Sequence, residues 1–119
     1  MTLTLAIIGH LVGDYLLQND WMALNKKNPG NLGGYACIIH SVLWTFSVCL
    51  FAGWPLQGWV TCTLFITHFI QDRTTIIAVW MDLIGQYKFR TGPCAPWSII
   101  VVDNVWHIVT LWAVWRFVA

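Results

Sequence analysis

Residues 10–18 read HLVGDYLLQ, and this short stretch places three polar side chains inside an otherwise apolar run. His10, Asp14 and Gln18 stand four residues apart, so they share one face of a helix. The run from about residue 2 to residue 18 is apolar enough to suggest a membrane-spanning helix. Ionisable side chains are costly in such a helix, and they mark functional sites there.

Composition places the whole chain among integral membrane proteins. Of its 119 residues, 58% are hydrophobic and 9% are charged, whereas soluble domains carry about 25% charged residues. Nine residues are Trp, and none is Glu. The formal net charge of +1 offers no basic surface for nucleic acid, and the four cysteines show no paired spacing. Because Asp14 interrupts the first apolar run, we expect no cleavable signal peptide.

Four apolar segments predict a single all-α transmembrane domain, residues 1–119, built as a four-helix bundle. The predicted helices span about residues 2–18, 35–53, 57–72 and 96–117. Asn, Gly and Pro predict a loop over residues 19–34 and a tight turn over residues 53–58. Residues 74–89 either continue helix three beyond a bend or form a helix along the membrane interface. The interfacial helix is favoured, because Asp72 and Arg73 suit that boundary better than the membrane interior.

Basic residues predict the orientation of the bundle. The turn between helices two and three contains none, whereas the first and third links contain Lys26, Lys27, Arg73, Lys88 and Arg90. The positive-inside rule then predicts a multi-pass protein of the bacterial cytoplasmic (inner) membrane with both termini on the non-cytoplasmic side, although Arg116 argues mildly against this. An aromatic belt fits the Trp residues near predicted helix ends, which are Trp21, Trp54, Trp59, Trp97, Trp112 and Trp115.

Each predicted helix carries one histidine, and three of the four histidines have an aspartate four residues away. The pairs are His10 with Asp14, His68 with Asp72, and Asp103 with His107, while His40 stands alone. Residues four apart are neighbours on a helix surface. The predicted topology puts all seven side chains at one depth, in the cytoplasmic half of the bundle. We therefore expect them to meet.

Imidazoles and carboxylates at one point suit one or two divalent transition metal ions, zinc among them. The candidate ligands are His10, Asp14, His40, His68, Asp72, Asp103 and His107. Among them Asp14, Asp72 and Asp103 are candidate catalytic residues, because a carboxylate free of metal can act as a general base. Gln18 and Asn104 are candidates for hydrogen bonds that orient the ligands.

These motifs resemble a family of small bacterial and phage membrane proteins known as domain of unknown function 3307. The resemblance rests on HLVGDYLLQ (10–18), an isolated His40, THFIQD (67–72) and DNVWH (103–107), which span most of the chain. Family members often have Phe in place of Tyr15 and Gln in place of Asn104. The resemblance implies packed membrane helices and no established activity. The scatter of His and Asp is also similar to that of inner-membrane proteins classed as metal-dependent hydrolases.

Three functions fit this pattern. The first is a metal-dependent hydrolase at the cytoplasmic interface, where basic residues of the links attract anionic lipid headgroups and the substrate is a phosphorylated lipid or a peptide bond. The second is a transporter or pore for metal ions or protons, which would need an oligomer to complete a polar path. The third is a non-enzymatic membrane interaction protein whose polar core only holds its helices together.

Overall fold

The fold is known from a computed structural model that describes residues 2–56 and 58–118. Every regular element within those residues is helical, which confirms the predicted all-α class. The elements are α1 (Thr2–Leu11) with a π-helical turn directly after it (Val12–Leu16), α2 (Asp20–Asn25), α3 (Asn31–Ala52), α4 (Trp59–Arg73), α5 (Ile76–Leu83), α6 (Tyr87–Thr91) and α7 (Trp97–Val118).

Two of these helices, α3 and α7, are long and apolar enough to cross a membrane. Each has 22 residues. The helix α4 has 15 residues and is about 22 Å long, shorter than the ~30 Å hydrocarbon core of a bilayer. The apolar helical run Leu3–Leu16 is also too short by this measure. Helix length therefore supports two of the four predicted spans.

The first link is more ordered than the predicted loop over residues 19–34. It contains α2, and α3 begins at Asn31 instead of near residue 35. The side chain of Asn19 accepts a hydrogen bond of 2.9 Å from the backbone N–H of Met22, which is the usual role of Asn at a helix N-cap. The loop prediction was wrong here because it counted this Asn only as a helix breaker.

The predicted turn between helices two and three is present where the structure describes it. The helix α3 stops at Gly53, whose φ of 69° is the left-handed conformation common at helix C-termini. Gln57, where the third helix was predicted to begin, lies outside the described residues. The helix α4 begins at Trp59.

The segment over residues 74–89 forms two short helices instead of one. Gly85, with a φ of 84°, lies between α5 and α6. The guanidinium of Arg90 donates two hydrogen bonds of 2.8 Å to the Asp82 carboxylate, which ties α6 to α5. Ile77 and Met81 are the buried residues of α5, so this helix packs on the bundle through the face that carries them.

The backbone of α1 lies unusually close to α3. A Cβ atom on Gly9 would come within 2.7 Å of the Ser47 carbonyl oxygen, and one on Gly13 within 2.8 Å of Trp44 Cδ1. The Ser47 hydroxyl donates a hydrogen bond of 2.8 Å to the Gly9 carbonyl. Small residues four apart permit such close packing of membrane helices. The spacing of Gly9 and Gly13 therefore sets the position of the π-helical turn against α3.

Apolar and polar side chains divide the bundle into two ends. The buried apolar core lies at the start of α1 and α4 and at the end of α3 and α7, and it contains Ala6, Trp44, Val48, Cys49, Ala52, Trp54, Val60, Leu64, Leu111 and Val114. The buried histidines come from the opposite ends of the same helices or from their middle. Of the four helices α1, α3, α4 and α7, each therefore runs antiparallel to the one before it. This alternation is why their polar side chains lie at a similar level in the bundle.

Substituting Gly13 with Ala should destabilise the bundle by about 1–3 kcal/mol, because the new methyl group overpacks the contact with Trp44. Gly34→Ala is the matched control, since a Cβ there meets no atom within 4 Å and Ala is the better helix former. Thermal unfolding of both variants in detergent measures the difference. An equal midpoint for Gly13→Ala and the wild type would show that the close packing does not exist.

Candidate metal centre

Six of the seven predicted ligands meet in two adjoining groups. The first group contains Asp14, His40, His68 and Asp72, and the second contains Asp72, Asp103 and His107. The π-helical turn, α3, α4 and α7 each contribute at least one of these side chains. The three histidines in these groups are 0–1% exposed. Residues far apart in sequence therefore bring their imidazole and carboxylate groups to one place.

The first group has the spacing of a four-coordinate metal site. His40 Nε2 lies 3.0 Å from His68 Nε2, 3.2 Å from Asp14 Oδ1 and 3.0 Å from Asp72 Oδ2. His68 Nε2 lies 3.3 Å from Asp72 Oδ2 and 3.7 Å from Asp14 Oδ1. A tetrahedral zinc ion with bonds of about 2.0–2.1 Å keeps its ligand atoms roughly 3.3 Å apart. The five measured separations, 3.0–3.7 Å, bracket this value, so the four side chains could hold such an ion.

One atom of this group lacks a partner that a metal would provide. Asp14 Oδ1 is buried and forms no hydrogen bond with the described part of the chain. A buried carboxylate oxygen without a partner is costly and rare. His40 and His68 each present Nε2 to the group. The donor set fits a divalent transition metal ion.

The second group shares Asp72 with the first. His107 Nε2 lies 3.3 Å from Asp72 Oδ1 and 3.2 Å from Asp103 Oδ2. Asp72 thus turns one oxygen to each group, as a carboxylate that bridges two metal ions does. With three protein donors, this second group resembles the catalytic zinc sites that keep one position open. Asp103 Oδ1 is buried and has no hydrogen-bond partner within residues 2–56 and 58–118.

His10 lies beside these groups but outside both of them. Trp44 Nε1 donates a hydrogen bond of 2.9 Å to His10 Nδ1, and His10 Nε2 is hydrogen-bonded to Asn104 Oδ1. His10 Nδ1 also lies 3.3 Å from Asp14 Oδ2. Because both ring nitrogens are engaged with protein groups, His10 orients its neighbours here, whereas the sequence predicted a ligand.

Trp44 is a part of the site that the sequence analysis missed. Its ring stacks on the His68 imidazole, with centroids 4.0 Å apart and planes 13° apart, and it is 1% exposed. It also donates the hydrogen bond to His10. The available signal was spacing, because Trp44 follows His40 by four residues and so shares its helix face. Trp44 fixes the ring planes of two histidines.

Lys26 was predicted to face lipid headgroups, yet its ammonium donates a hydrogen bond of 2.7 Å to Asp72 Oδ2. Burial by itself would lower the pKa of Lys26, and the Asp72 carboxylate raises that pKa above its ordinary value. Lys26 is therefore an ammonium ion that compensates the buried charge of Asp72. No short-range sequence signal links two residues that lie so far apart.

The neighbouring basic residues bind the first link to the end of α4. Lys27 Nζ donates to the backbone carbonyls of Gln71, Asp72 and Thr74, which are free at a helix C-terminus. The guanidinium of Arg73 donates to the carbonyls of Lys26 and Gly30. These two side chains thus hold the first link in place against α4.

A cavity of about 310 Å³ lies against the carboxylates of both groups. Its lining residues are Asp14, Tyr15, Gln18, Ala23, Lys26, Lys27, Asp72, Ile77, Ile99, Ile100, Asp103 and Asn104. The side chains of Asp14 and Asp103 are 15% and 26% exposed, so they face the cavity while the histidines lie behind them. Gln18 donates a hydrogen bond of 3.4 Å to the backbone carbonyl of Asp14, which is held in a π-helical turn, a frequent feature of functional sites.

Residues 2–119 match the model of a family described as Protein of unknown function (DUF3307). The chain belongs to this family. The match covers nearly the entire chain and confirms the resemblance found in the four motifs. No curated protein and no solved structure matches the chain. The DUF3307 description carries no activity, so the arrangement of side chains is the basis for a function.

Lys26→Met should lower the free energy of unfolding of the metal-free protein by about 3 kcal/mol, because it leaves the buried Asp72 carboxylate without its ammonium partner. Added zinc should reduce the difference, since a bound cation would compensate the same carboxylate. Lys88→Met, at an exposed position, is the control. Chemical denaturation in detergent measures both. Equal stability of Lys26→Met and Lys88→Met would contradict the ion pair.

Proposed function

We propose that this DUF3307 protein is a membrane-embedded metal-binding protein that acts as a metal-dependent hydrolase at the cytoplasmic interface. The observation that carries the proposal is the convergence of donor atoms from Asp14, His40, His68 and Asp72 at the spacing of a tetrahedral metal site. Zinc is the favoured ion, because imidazole and carboxylate are its usual ligands and this spacing matches its bond lengths.

One contact favours a purely structural polar core as the alternative. The Lys26 ammonium already compensates Asp72, so the bundle has a cation at the site without any metal. A core that served only packing would be expected to pair its buried oxygens. Asp14 Oδ1 and Asp103 Oδ1 are instead buried without a hydrogen-bond partner among the described residues. Both oxygens belong to the residues that face the cavity, which supports a metal-binding role.

The two groups suit different tasks. The first supplies four protein donors, which is the number found in closed, structural zinc sites. The second supplies three donors and leaves a position for water or substrate. A zinc ion lowers the pKa of a bound water to about 7, which makes hydroxide available at neutral pH. Asp103 would supply Oδ2 to this group, and its other oxygen, Oδ1, has no hydrogen-bond partner among the described residues and is the one that could accept a proton as general base.

The cavity supports a phosphorylated lipid over a peptide bond as substrate. Lys26 directs one hydrogen bond to Asp72, which leaves two ammonium hydrogens for an anionic group. All three hydrogens of the Lys27 ammonium are used by the end of α4. Ile77, Ile99 and Ile100 form an apolar wall of the same cavity, against which an acyl chain can pack.

The same proposal places the protein in the bacterial cytoplasmic membrane with the cavity near the cytoplasmic face. Support comes from α3 and α7, which are long and apolar enough to span a bilayer, and from the basic residues of the first link. Lys26 and Lys27 line the cavity itself, so the positive charge that predicts the orientation lies at its mouth.

Metal analysis tests the first part of the proposal. The full chain, purified in detergent, saturated with zinc and freed of loosely bound ions, should retain about one or two zinc ions by mass spectrometry. The double variant His40→Ala with His68→Ala should lose at least one of them. The control is His10→Ala, an equally buried histidine outside both groups, which should keep them. Circular dichroism checks that each variant is helical.

A wild-type protein without stoichiometric zinc would exclude the metal site. So would a His40 and His68 double variant that keeps the full zinc content.

The hydrolase part is tested with zinc-loaded protein and phosphatidic acid in mixed micelles, by the release of inorganic phosphate. Asp103→Asn should lower the rate by about 100-fold, because general-base catalysis contributes at least that much, while the zinc of the first group is retained. Asp82→Asn, which removes an exposed carboxylate outside the site, should leave the rate unchanged. Hydrolysis that is absent, or that survives Asp103→Asn at the wild-type rate, would contradict the proposed activity.

A further inference from the structure

We propose that the Tyr15 hydroxyl contacts the substrate, by donating a hydrogen bond to an oxygen atom of the anionic group that enters the cavity. This inference rests on the proposed function and adds a residue that fixes the position of the substrate. Tyr15 lines the cavity next to the carboxylates, and its side chain is 52% exposed. Its role follows from a series of hydrogen bonds that starts at the buried Trp44, which determines the donor and the acceptor of each bond.

The chain of hydrogen bonds begins at Trp44, whose indole N–H can only donate. It donates to His10 Nδ1, so that nitrogen carries no proton of its own. The neutral His10 ring must then hold its proton on Nε2. The nearby Asp14 Oδ2, 3.3 Å from the same Nδ1, cannot receive a hydrogen from it for this reason.

Asn104 continues this series of hydrogen bonds from His10 to Tyr15. His10 Nε2–H donates to Asn104 Oδ1, which places the amide nitrogen on the other side. Asn104 Nδ2 has only hydrogens to offer, and it donates to the Tyr15 oxygen. Because that oxygen accepts from Asn104, its own hydrogen points elsewhere. Tyr15 lines the cavity, so the hydroxyl is available as a donor to a ligand oxygen there.

The Tyr15 hydroxyl belongs to the residue next to Asp14, which is one of the candidate metal ligands. Tyr15 follows Asp14 in the π-helical turn, so the Asp14 carboxylate and the Tyr15 hydroxyl are presented by one segment. The Gly13 contact with Trp44 fixes that segment against α3. A phosphoryl group that approached the carboxylate-lined face of the cavity would meet the Lys26 ammonium and the Tyr15 hydroxyl as its donors. Phosphoryl oxygens are acceptors for both.

The test uses inorganic phosphate as the probe and the zinc-loaded full chain in detergent, with affinity measured by calorimetry. Tyr15→Phe removes only the hydroxyl and should weaken phosphate binding about tenfold, as expected for a hydrogen bond to a charged group. Tyr35→Phe, an exposed tyrosine at the start of α3, should bind phosphate as the wild type does. Zinc affinity should stay unchanged in both variants.

A second variant, Asn104→Asp, is used as a background to separate the loss of a directed hydrogen bond from a general effect on structure. Asn104→Asp replaces the amide donor by an acceptor, so Tyr15 would donate its hydrogen to residue 104 instead of to the phosphate. In that background Tyr15→Phe should change phosphate affinity by less than about twofold, because the contribution of the hydroxyl has already been lost.

The outcomes distinguish this inference from the proposed function. Failure of the wild-type chain to hold zinc would overturn the proposed function and this inference with it. Zinc binding without phosphate binding would overturn this inference alone. A Tyr15→Phe variant that binds phosphate as tightly as the wild type, or an equal loss in both Asn104 backgrounds, would do the same.

Discussion

The buried carboxylate of Asp72 is the group around which the bundle is organised. It is 2% exposed, and a carboxylate in such a place costs several kcal/mol unless cations or hydrogen-bond donors surround it. His40 and His68 approach its one oxygen, His107 approaches the other, and the Lys26 ammonium completes the set. These groups come from α3, α4, α7 and the first link. The need to compensate the charge of one carboxylate therefore brings four separate segments together.

The surrounding fold holds this constellation from two sides. On one side, Gly9 and Gly13 let α1 lie against α3, which brings Asp14 beside His40. On the other, Lys27 binds the carbonyls at the end of α4, so the first link closes over the carboxylates. The spacing of the candidate site therefore depends on the packing of these backbone segments.

Sequence spacing predicted much of the site and its level in the bundle. Pairs four residues apart pointed to Asp14, Asp72, Asp103, His68 and His107, which lie in the two groups, because the period of a helix alone puts such residues on one face. Spacing says nothing of how a helix is rotated against its neighbours, and this rotation turns both nitrogens of His10 toward Trp44 and Asn104.

The remaining differences arise from contacts between distant parts of the chain and from local capping. The contact of Lys26 with Asp72 joins residues from two segments, and charge counting placed the ammonium at the membrane surface. The helix α2 was predicted as loop because Asn19 acts through a cap that composition does not reveal. The all-helical class needed only hydrophobic patterning, and it was predicted correctly.

X-ray absorption spectroscopy at the zinc edge tests the central claim, that His and Asp side chains of this bundle bind a transition metal. For the zinc-saturated chain in detergent, we expect a first shell of nitrogen and oxygen at about 2.0–2.2 Å with the outer scattering of imidazole, and no sulfur although the chain has four cysteines. A shell containing sulfur at about 2.3 Å, or a spectrum of hydrated zinc, would contradict the account.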